Sequence, residues 1–258
     1  MTELLARRRG LIALAGRETD RVLKLWSQTI VAPVLSSFLF ILVFGLSLGD
    51  RIRAIDGVDY EVFIVPGLIT MAMAQAAYAN NSSSVFQARS ERYLHDVLSA
   101  PMRSWEVNLG LSLGGVVRAM AIGAGLLALA LPVTGVPVRE PLVLLAAVGL
   151  VLVLFASLGV VVGVYAESWD QHGFVNNILI LPLSFLGGVF YSVELLPSPW
   201  EEISHVNPIF FLINAVRYGF LGTSDVPIGL ALGVTAAMAA AVVAWSAVMF
   251  HTGRRLKA

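Results

Sequence analysis

Apolar residues in this chain come in long unbroken runs separated by short polar connections. Six runs stand out, at roughly 30–48, 62–84, 109–132, 142–165, 174–191 and 228–250. Each is near the ~20 residues that a helix needs to cross a ~30 Å hydrocarbon core. Five of them carry no charged residue; the third contains Arg118. The pattern predicts an all-α integral membrane protein with six transmembrane helices in one transmembrane domain spanning residues 1–258. No internal repeat relates the runs, so an inverted-repeat transporter is not indicated.

Two stretches follow a different rhythm. In residues 11–28, Leu11, Leu14, Ala15, Val22, Leu25 and Trp26 fall on one helical face, and Arg17, Asp20, Arg21, Lys24 and Gln28 on the other. This predicts an amphipathic helix lying in the headgroup layer. Glu18 falls on its apolar face, and the periodicity offers no reason for it. The second stretch, 181–223, begins as the end of the fifth run and then breaks at Gly187-Gly188. Ser198-Pro199-Trp200-Glu201 reads as a capping box with proline at the first helical position. Asn207-Pro208 repeats the cap-then-proline start, and Gly222 is placed to end that helix. A helix over 208–221 is roughly 20 Å long, too short to cross. Residues 192–223 therefore read as a re-entrant helix pair before the last span.

Composition agrees with the pattern. The chain of 258 residues is 57% hydrophobic and 13% charged, with a mean hydropathy of +0.81; soluble domains carry about 25% charged residues. The absence of cysteine rules out disulfides, thiolate nucleophiles and cysteine metal sites. The four histidines, His95, His172, His205 and His251, form no i,i+4 pair, and no metal site is expected. The apolar run after Arg7-Arg8-Arg9 is interrupted at Arg17-Glu18, unlike a signal peptide.

The distribution of basic residues predicts orientation. With both termini cytosolic, the inner segments hold twelve Lys and Arg: six before residue 30, three in 85–108 and three after 250. The outer segments hold four: Arg51, Arg53, Arg139 and Arg217. The segment 192–223, with Glu194, Glu201 and Glu202, then faces outward.

Few residues are placed for chemistry. Arg118 either snorkels, about 9 Å from its helix end, or serves an anionic group or a carboxylate. Asn80 and Asn81, with the serines after them, and Asn176 with Asn177 lie at inner span ends. Such residues either join helices or line an inward cavity. In the first cytosolic connection, residues 87–98 have helical character. Arg89, Glu91, Arg92 and Asp96 are its exposed charges, and Tyr93, Leu94, Val97 and Leu98 its apolar patch. That patch packs on the protein itself or serves as a knob for a cytosolic partner. No phosphate loop, G-x-S-x-G elbow or H-E-x-x-H is present. Glu201 and Glu202 are adjacent, so on a helix they point apart and make a poor acid/base pair. No catalytic residue is expected in this chain.

Taken together, the parts resemble the ABC-2 type permeases, the membrane subunits of bacterial ABC exporters, over essentially the whole length. The most specific run is Pro182, Phe185, Gly187, Gly188, Phe190, Tyr191, then Leu196-Pro197, Asn207-Pro208, Arg217-Tyr218 and Leu221-Gly222. The first cytosolic loop, Arg89-Ser90-Glu91-Arg92-Tyr93 followed by Val97-Leu98-Ser99-Ala100-Pro101, is similar to the family's Arg-Glu-x-Gly-Thr…Leu-Leu-x-x-Pro segment. It departs from it in having Arg92-Tyr93 for Gly-Thr. The resemblance implies two such chains, identical ones, paired in the bacterial inner membrane around a central pathway, with no nucleic acid involved. It implies two copies of an ATP-binding subunit that carry ATP and magnesium and dock on 87–98 and on 166–173, with Glu167 and Asp170. It further implies an outer cap that includes Gly187, Gly188, Tyr191, Pro197, Asn207, Pro208 and Arg217. The expected cargo is lipid-like or amphipathic: a drug, glycolipid or lipooligosaccharide. A lipid-linked polysaccharide would favour aromatic pathway residues such as Phe38, Phe40 and Phe44. Outside transport, an intramembrane enzyme would use Arg118 on a phosphate headgroup, and a structural scaffold would need neither ATP nor cargo.

Overall fold

A computed structural model describes residues 2–52, 54–55 and 57–253. The chain is almost wholly helical. Helix α1 covers Thr2–Lys24, and a π-helical turn at Ser27–Val31 leads into α2, Ala32–Ile52. A two-residue antiparallel hairpin follows, β1 (Ala54–Ile55) paired with β2 (Val58–Asp59), which hydropathy did not anticipate. Then come α3 (Tyr60–Ser90), α4 (Leu94–Ser99), α5 (Ser104–Thr134), α6 (Pro141–Tyr165) and α7 (Trp169–Phe174). A second π-helical turn, Val175–Ile180, joins α7 to α8 (Leu181–Leu186). Helices α9 (Trp200–Val206), α10 (Pro208–Leu221) and α11 (Ile228–Thr252) complete the fold.

Among the described residues, five helices are long and apolar enough to cross a membrane: Ser27–Gly45, α3, α5, α6 and α11, with mean hydropathies of 1.6 to 2.8. The expected fifth span, 174–191, is instead a composite of α7, the π turn and α8 that stops at Leu186. Proline explains part of the break. Pro182 has no N–H to offer the carbonyl four residues back, and the π turn ends two residues before it. The first π turn stands in the same relation to Pro33.

Helix α3 is the axis of the bundle, with 89% of its apolar stretch buried. Apolar attraction cannot hold helices together in lipid, so close backbone approach and hydrogen bonds must. The seams of α3 show both. A Cβ on Gly159 of α6 would stand 2.5 Å from the Tyr78 carbonyl, and one on Gly115 of α5 would stand 2.7 Å from the Ala77 carbonyl. Between them Asn81 donates to the carbonyls of Ser112 (3.2 Å) and Ala156 (3.0 Å) and accepts from Gly115 N–H (3.0 Å). One amide thus ties α3 to α5 and α6.

At the end of the bundle that holds α1 and α4, a second core gathers Leu14, Val85, Leu94, Leu111, Val164 and Phe250. Helix α1 is longer than the predicted 11–28 at its start and ends earlier, at Lys24. Its inward stripe is Leu14, Glu18 and Val22, whereas Leu25 and Trp26 are exposed. The predicted single helix over 87–98 is two pieces. Helix α3 runs on to Ser90, the chain turns at Arg92 with φ of 64°, and α4 begins at Leu94.

At the opposite end α10 is where the cap residues placed it. The Asn207 side chain accepts from Ile209 N–H at 3.0 Å, Pro208 takes the first position, and Gly222 closes the helix with φ of 73°. The expected capping box at Ser198 does not form. Helix α9 starts at Trp200 with Pro199 at the cap position, and Ser198 Oγ bonds to Glu202 instead. Arg53 and the three basic residues after 250 lie outside the described residues.

Candidate functional site

A cavity of about 410 Å³ opens between α2, α3, α5 and the composite segment 175–186. The two π turns border it. Each shifts the register of its helix just ahead of a proline, and Pro33, Asn176 and Leu181 all line the cavity. The walls are apolar and aromatic, from Phe40, Met71, Ala72, Ala76, Leu181 and Phe185. Phe40 and Phe185 belong to a ring cluster with Phe44 and Phe190, with centroids 4.8 to 6.4 Å apart. The polar groups are few: Ser36, Ser37, Gln75, Arg118 and Asn176.

Arg118 does more than snorkel. Its Nε donates to the Thr29 carbonyl at 2.9 Å. Thr29 lies four residues before Pro33, so this carbonyl is the one that loses its regular helical donor. The guanidinium supplies that donor and is thereby fixed at the cavity wall. Asn176 is oriented by donating to Asn177 Oδ1 at 3.1 Å, and Asn177 itself is exposed. The buried Gln75 Nε2 and Asn176 Oδ1 have no hydrogen-bond partner among the described residues.

The other predicted lining residues lie elsewhere. Asn81 is engaged between helices, and Asn80 is buried, its Nδ2 donating to Asn81 at 3.3 Å. Phe38 packs at the edge of the main core, and Phe40 lines the cavity in its place. The sequence reading missed Gln75, although a lone amide in the middle of an apolar span is a signal. It also missed the adjacent serines Ser36 and Ser37, just over one turn into α2.

The two segments expected to meet a partner adjoin each other at the α1–α4 end. Arg89 donates to the Val164 carbonyl near the last turn of α6, and Phe86 meets Trp169 edge-to-face with centroids 4.9 Å apart. Tyr78 Oη donates to the His172 carbonyl at 2.7 Å. Burial lowers the pKa of His172 and raises that of Tyr93. Glu91, Arg92, Asp96, Glu167 and Asp170 are exposed on this surface, while Leu94 is buried in the second core with Tyr93, Val97 and Leu98 packed around it. The apolar patch therefore seats the turn on the protein itself, and only the charged residues of the set face outward.

At the other end Arg217, read from sequence as an outer-face charge, is 1% exposed. It donates to the Gly188 carbonyl, lies 4.0 Å from Asp225 and sits over the Phe63 ring at 4.1 Å. Gly188 turns with φ of 83°, a conformation that favours glycine. Gly67 lets the turn lie flat on α3, since a Cβ there would stand 2.8 Å from the Val189 carbonyl. Pro197 is exposed, and Tyr191 is half-buried with its hydroxyl pKa raised by burial.

A helical bundle with apolar crossing helices and an apolar cavity with a few polar groups fit the membrane component of a transporter. The sequence pattern of the ABC-2 type transporter family matches residues 9–221, and the chain belongs to that family. It is 38% identical to the inner membrane transport permease YadH of Escherichia coli (strain K12) over 251 residues, 96% of each chain. It is 24% identical to nodulation protein J of Rhizobium meliloti (strain 1021) over 213 residues, 81% of each. Against nodulation protein J of Rhizobium leguminosarum bv. viciae the identity is 25% over 214 residues, 81% of this chain and 83% of the relative.

Proposed function

We propose that this chain is the permease subunit of an ATP-driven exporter that moves a lipid-like or amphipathic molecule out of the cytoplasm or the inner leaflet. The observation that carries the reading is the cavity of Phe40, Phe185 and Arg118, an apolar chamber with one charged corner, inside a chain of the ABC-2 type transporter family. Apolar walls with a few placed polar groups suit an amphiphile. The chain sits in a bacterial inner membrane with both termini cytosolic, and works as a pair of identical copies.

The motor is a separate ATP-binding subunit, in two copies, which holds the ATP and magnesium. It docks on the exposed charges of the 89–96 turn and on Glu167 and Asp170. Because Arg89 and Trp169 join that surface to α3 and α6, a push there reaches the helices around the cavity. The 187–222 segment closes the outer end. Purification of the chain with its neighbouring gene products tests the reading. The expected result is an associated ATPase whose turnover rises with an amphiphilic substrate and falls when Glu91, Asp96, Glu167 and Asp170 are replaced by lysine. An absent ATPase, or turnover indifferent to those four changes, would sink it.

A further inference from the structure

The cavity's charge is unbalanced. Of the described residues that line it, Arg118 alone is ionisable, and no carboxylate lies among them. A cation in a site of low dielectric calls for a counter-charge or for groups that accept its protons. The protein supplies one acceptor, the Thr29 carbonyl, to one of the five N–H groups of the guanidinium. Bonded through Nε, the planar group keeps its two terminal nitrogens for something else, and among the described residues no hydrogen bond takes them. Two further buried polar atoms of lining residues have no partner among the described residues, the Gln75 Nε2 donor and the Asn176 Oδ1 acceptor. Around them the surface is aromatic and aliphatic.

We propose that this cavity holds an amphiphile by an oxyanion headgroup, a phosphate or a carboxylate, with Arg118 as its counter-ion and its apolar chain against Phe40, Leu181 and Phe185. The proposal rests on the transporter reading and narrows its cargo to acidic amphiphiles. Two terminal N–H groups of a guanidinium match two oxygens of a phosphate or carboxylate, a fit a lysine does not reproduce. Gln75 Nε2 adds a donor to the anion, and Asn176 Oδ1 accepts from a hydroxyl on the same headgroup. A zwitterionic headgroup would bring a second cation beside Arg118, and the described lining has no carboxylate to pair with it.

The chain contains no cysteine, which permits a direct test on the full-length protein. A Ser36→Cys variant in neutral maltoside detergent places its only thiol on the cavity wall. A Leu39→Cys variant places one on the exposed face of the same helix. Each is reacted with a maleimide in the presence of dodecyl phosphate, dodecylphosphocholine or inorganic phosphate at equal concentration. Dodecyl phosphate is expected to slow labelling of Ser36→Cys at least ten-fold, and the other two less than two-fold, with Leu39→Cys unaffected. Adding Arg118→Gln abolishes the selectivity, and Arg118→Lys keeps part of it.

Equal protection by dodecylphosphocholine overturns the charge assignment. Equal protection by inorganic phosphate overturns the amphiphile. Equal slowing at Leu39→Cys shows an effect of the micelle and overturns the site. The first comparison needs no change at Arg118, so a misfolded Arg118→Gln chain does not blunt it. The assay uses neither ATP nor a partner. Protection without an associated ATPase therefore counts against the transporter reading alone, and an ATPase without selective protection counts against the headgroup site alone.

Discussion

Glu18 Oε2 accepts a 2.6 Å hydrogen bond from Ser84 Oγ, joining α1 to the central helix across 66 positions of sequence. The carboxylate is buried, and its other contacts are Arg17 at 2.7 Å and Arg21 at 3.4 Å, both partly exposed. Arg21 also donates to the Asn80 carbonyl at 3.0 Å. An acid on the apolar face of α1 is thus the latch by which that helix is seated. Glu18→Ala is expected to cost about 1.5–3 kcal/mol, the usual range for a hydrogen bond to a charged group. Glu18→Gln, which keeps an acceptor for Ser84, should cost less. Thermal unfolding in detergent measures both, and a loss for Glu18→Ala within the ~0.5 kcal/mol typical of surface changes contradicts the latch.

The turn at Arg92 carries a second expectation. A side chain at φ of 64° is strained by its Cβ. Arg92 is exposed, so little packing is lost on replacing it. Arg92→Gly should raise stability by about 0.5–1 kcal/mol. Arg92→Val, β-branched and poorly suited to this conformation, should lower it. The same unfolding assay decides, and a valine as well tolerated as glycine would mean that the turn relaxes on substitution.

How much of this was legible beforehand follows from where the information lies. Long apolar runs betray the crossing helices because lipid enforces them residue by residue, and Asn207-Pro208 with Gly222 marks α10 because caps are local. Glu18 and Arg217 were opaque for the opposite reason. Their partners, Ser84, Gly188 and Asp225, lie far off in sequence or across a break, so each looked like an oddity or a surface charge. The π turns escaped because helical periodicity cannot register one extra residue per turn. Pro33 and Pro182 were the available hint, and together with Gln75 they would have pointed to the cavity. The fold of 87–98 was misread since its pattern of apolar residues serves α3 and α4 equally well, and only the Arg92 backbone divides them.

His172 makes stability depend on pH. Burial lowers its pKa below the ordinary value of 6.5, so the folded protein resists protonating it. Below about pH 6.5 the unfolded chain takes up a proton that the folded chain does not, and stability falls as pH falls toward the lowered value. Above that window the effect is gone, because both states are neutral there. The ring meets Trp169 edge-to-face at 5.5 Å, which favours replacement by another ring. His172→Phe should flatten the part of the melting curve between pH 7.5 and 5.5 that this residue contributes. An unchanged slope would assign the acid sensitivity to other groups.

Arg217 is the most demanding case, because several elements depend on one side chain. Its guanidinium binds the Gly188 carbonyl, lies 4.0 Å from Asp225 and covers the Phe63 ring. Asp225 in turn accepts from Ser192 Oγ and Val193 N–H, both at 3.0 Å, while its own N–H donates to Asn214 Oδ1 at 2.8 Å. The loop 188–193, helix α10 and the 222–227 connection therefore meet on one ion pair. Arg217→Met leaves the carboxylate of Asp225 buried beside no cation, and should cost about 3–5 kcal/mol. Arg217→Lys keeps the charge but cannot reach Gly188 and Asp225 together or lie flat on Phe63, so it should cost about half as much. The double change Arg217→Met with Asp225→Asn removes both charges and should recover part of the loss. A double-mutant cycle on detergent-solubilised protein reads the coupling directly. Additive losses would show that Arg217 serves the Gly188 turn alone, and that Asp225 is held by Ser192 and Val193 without it.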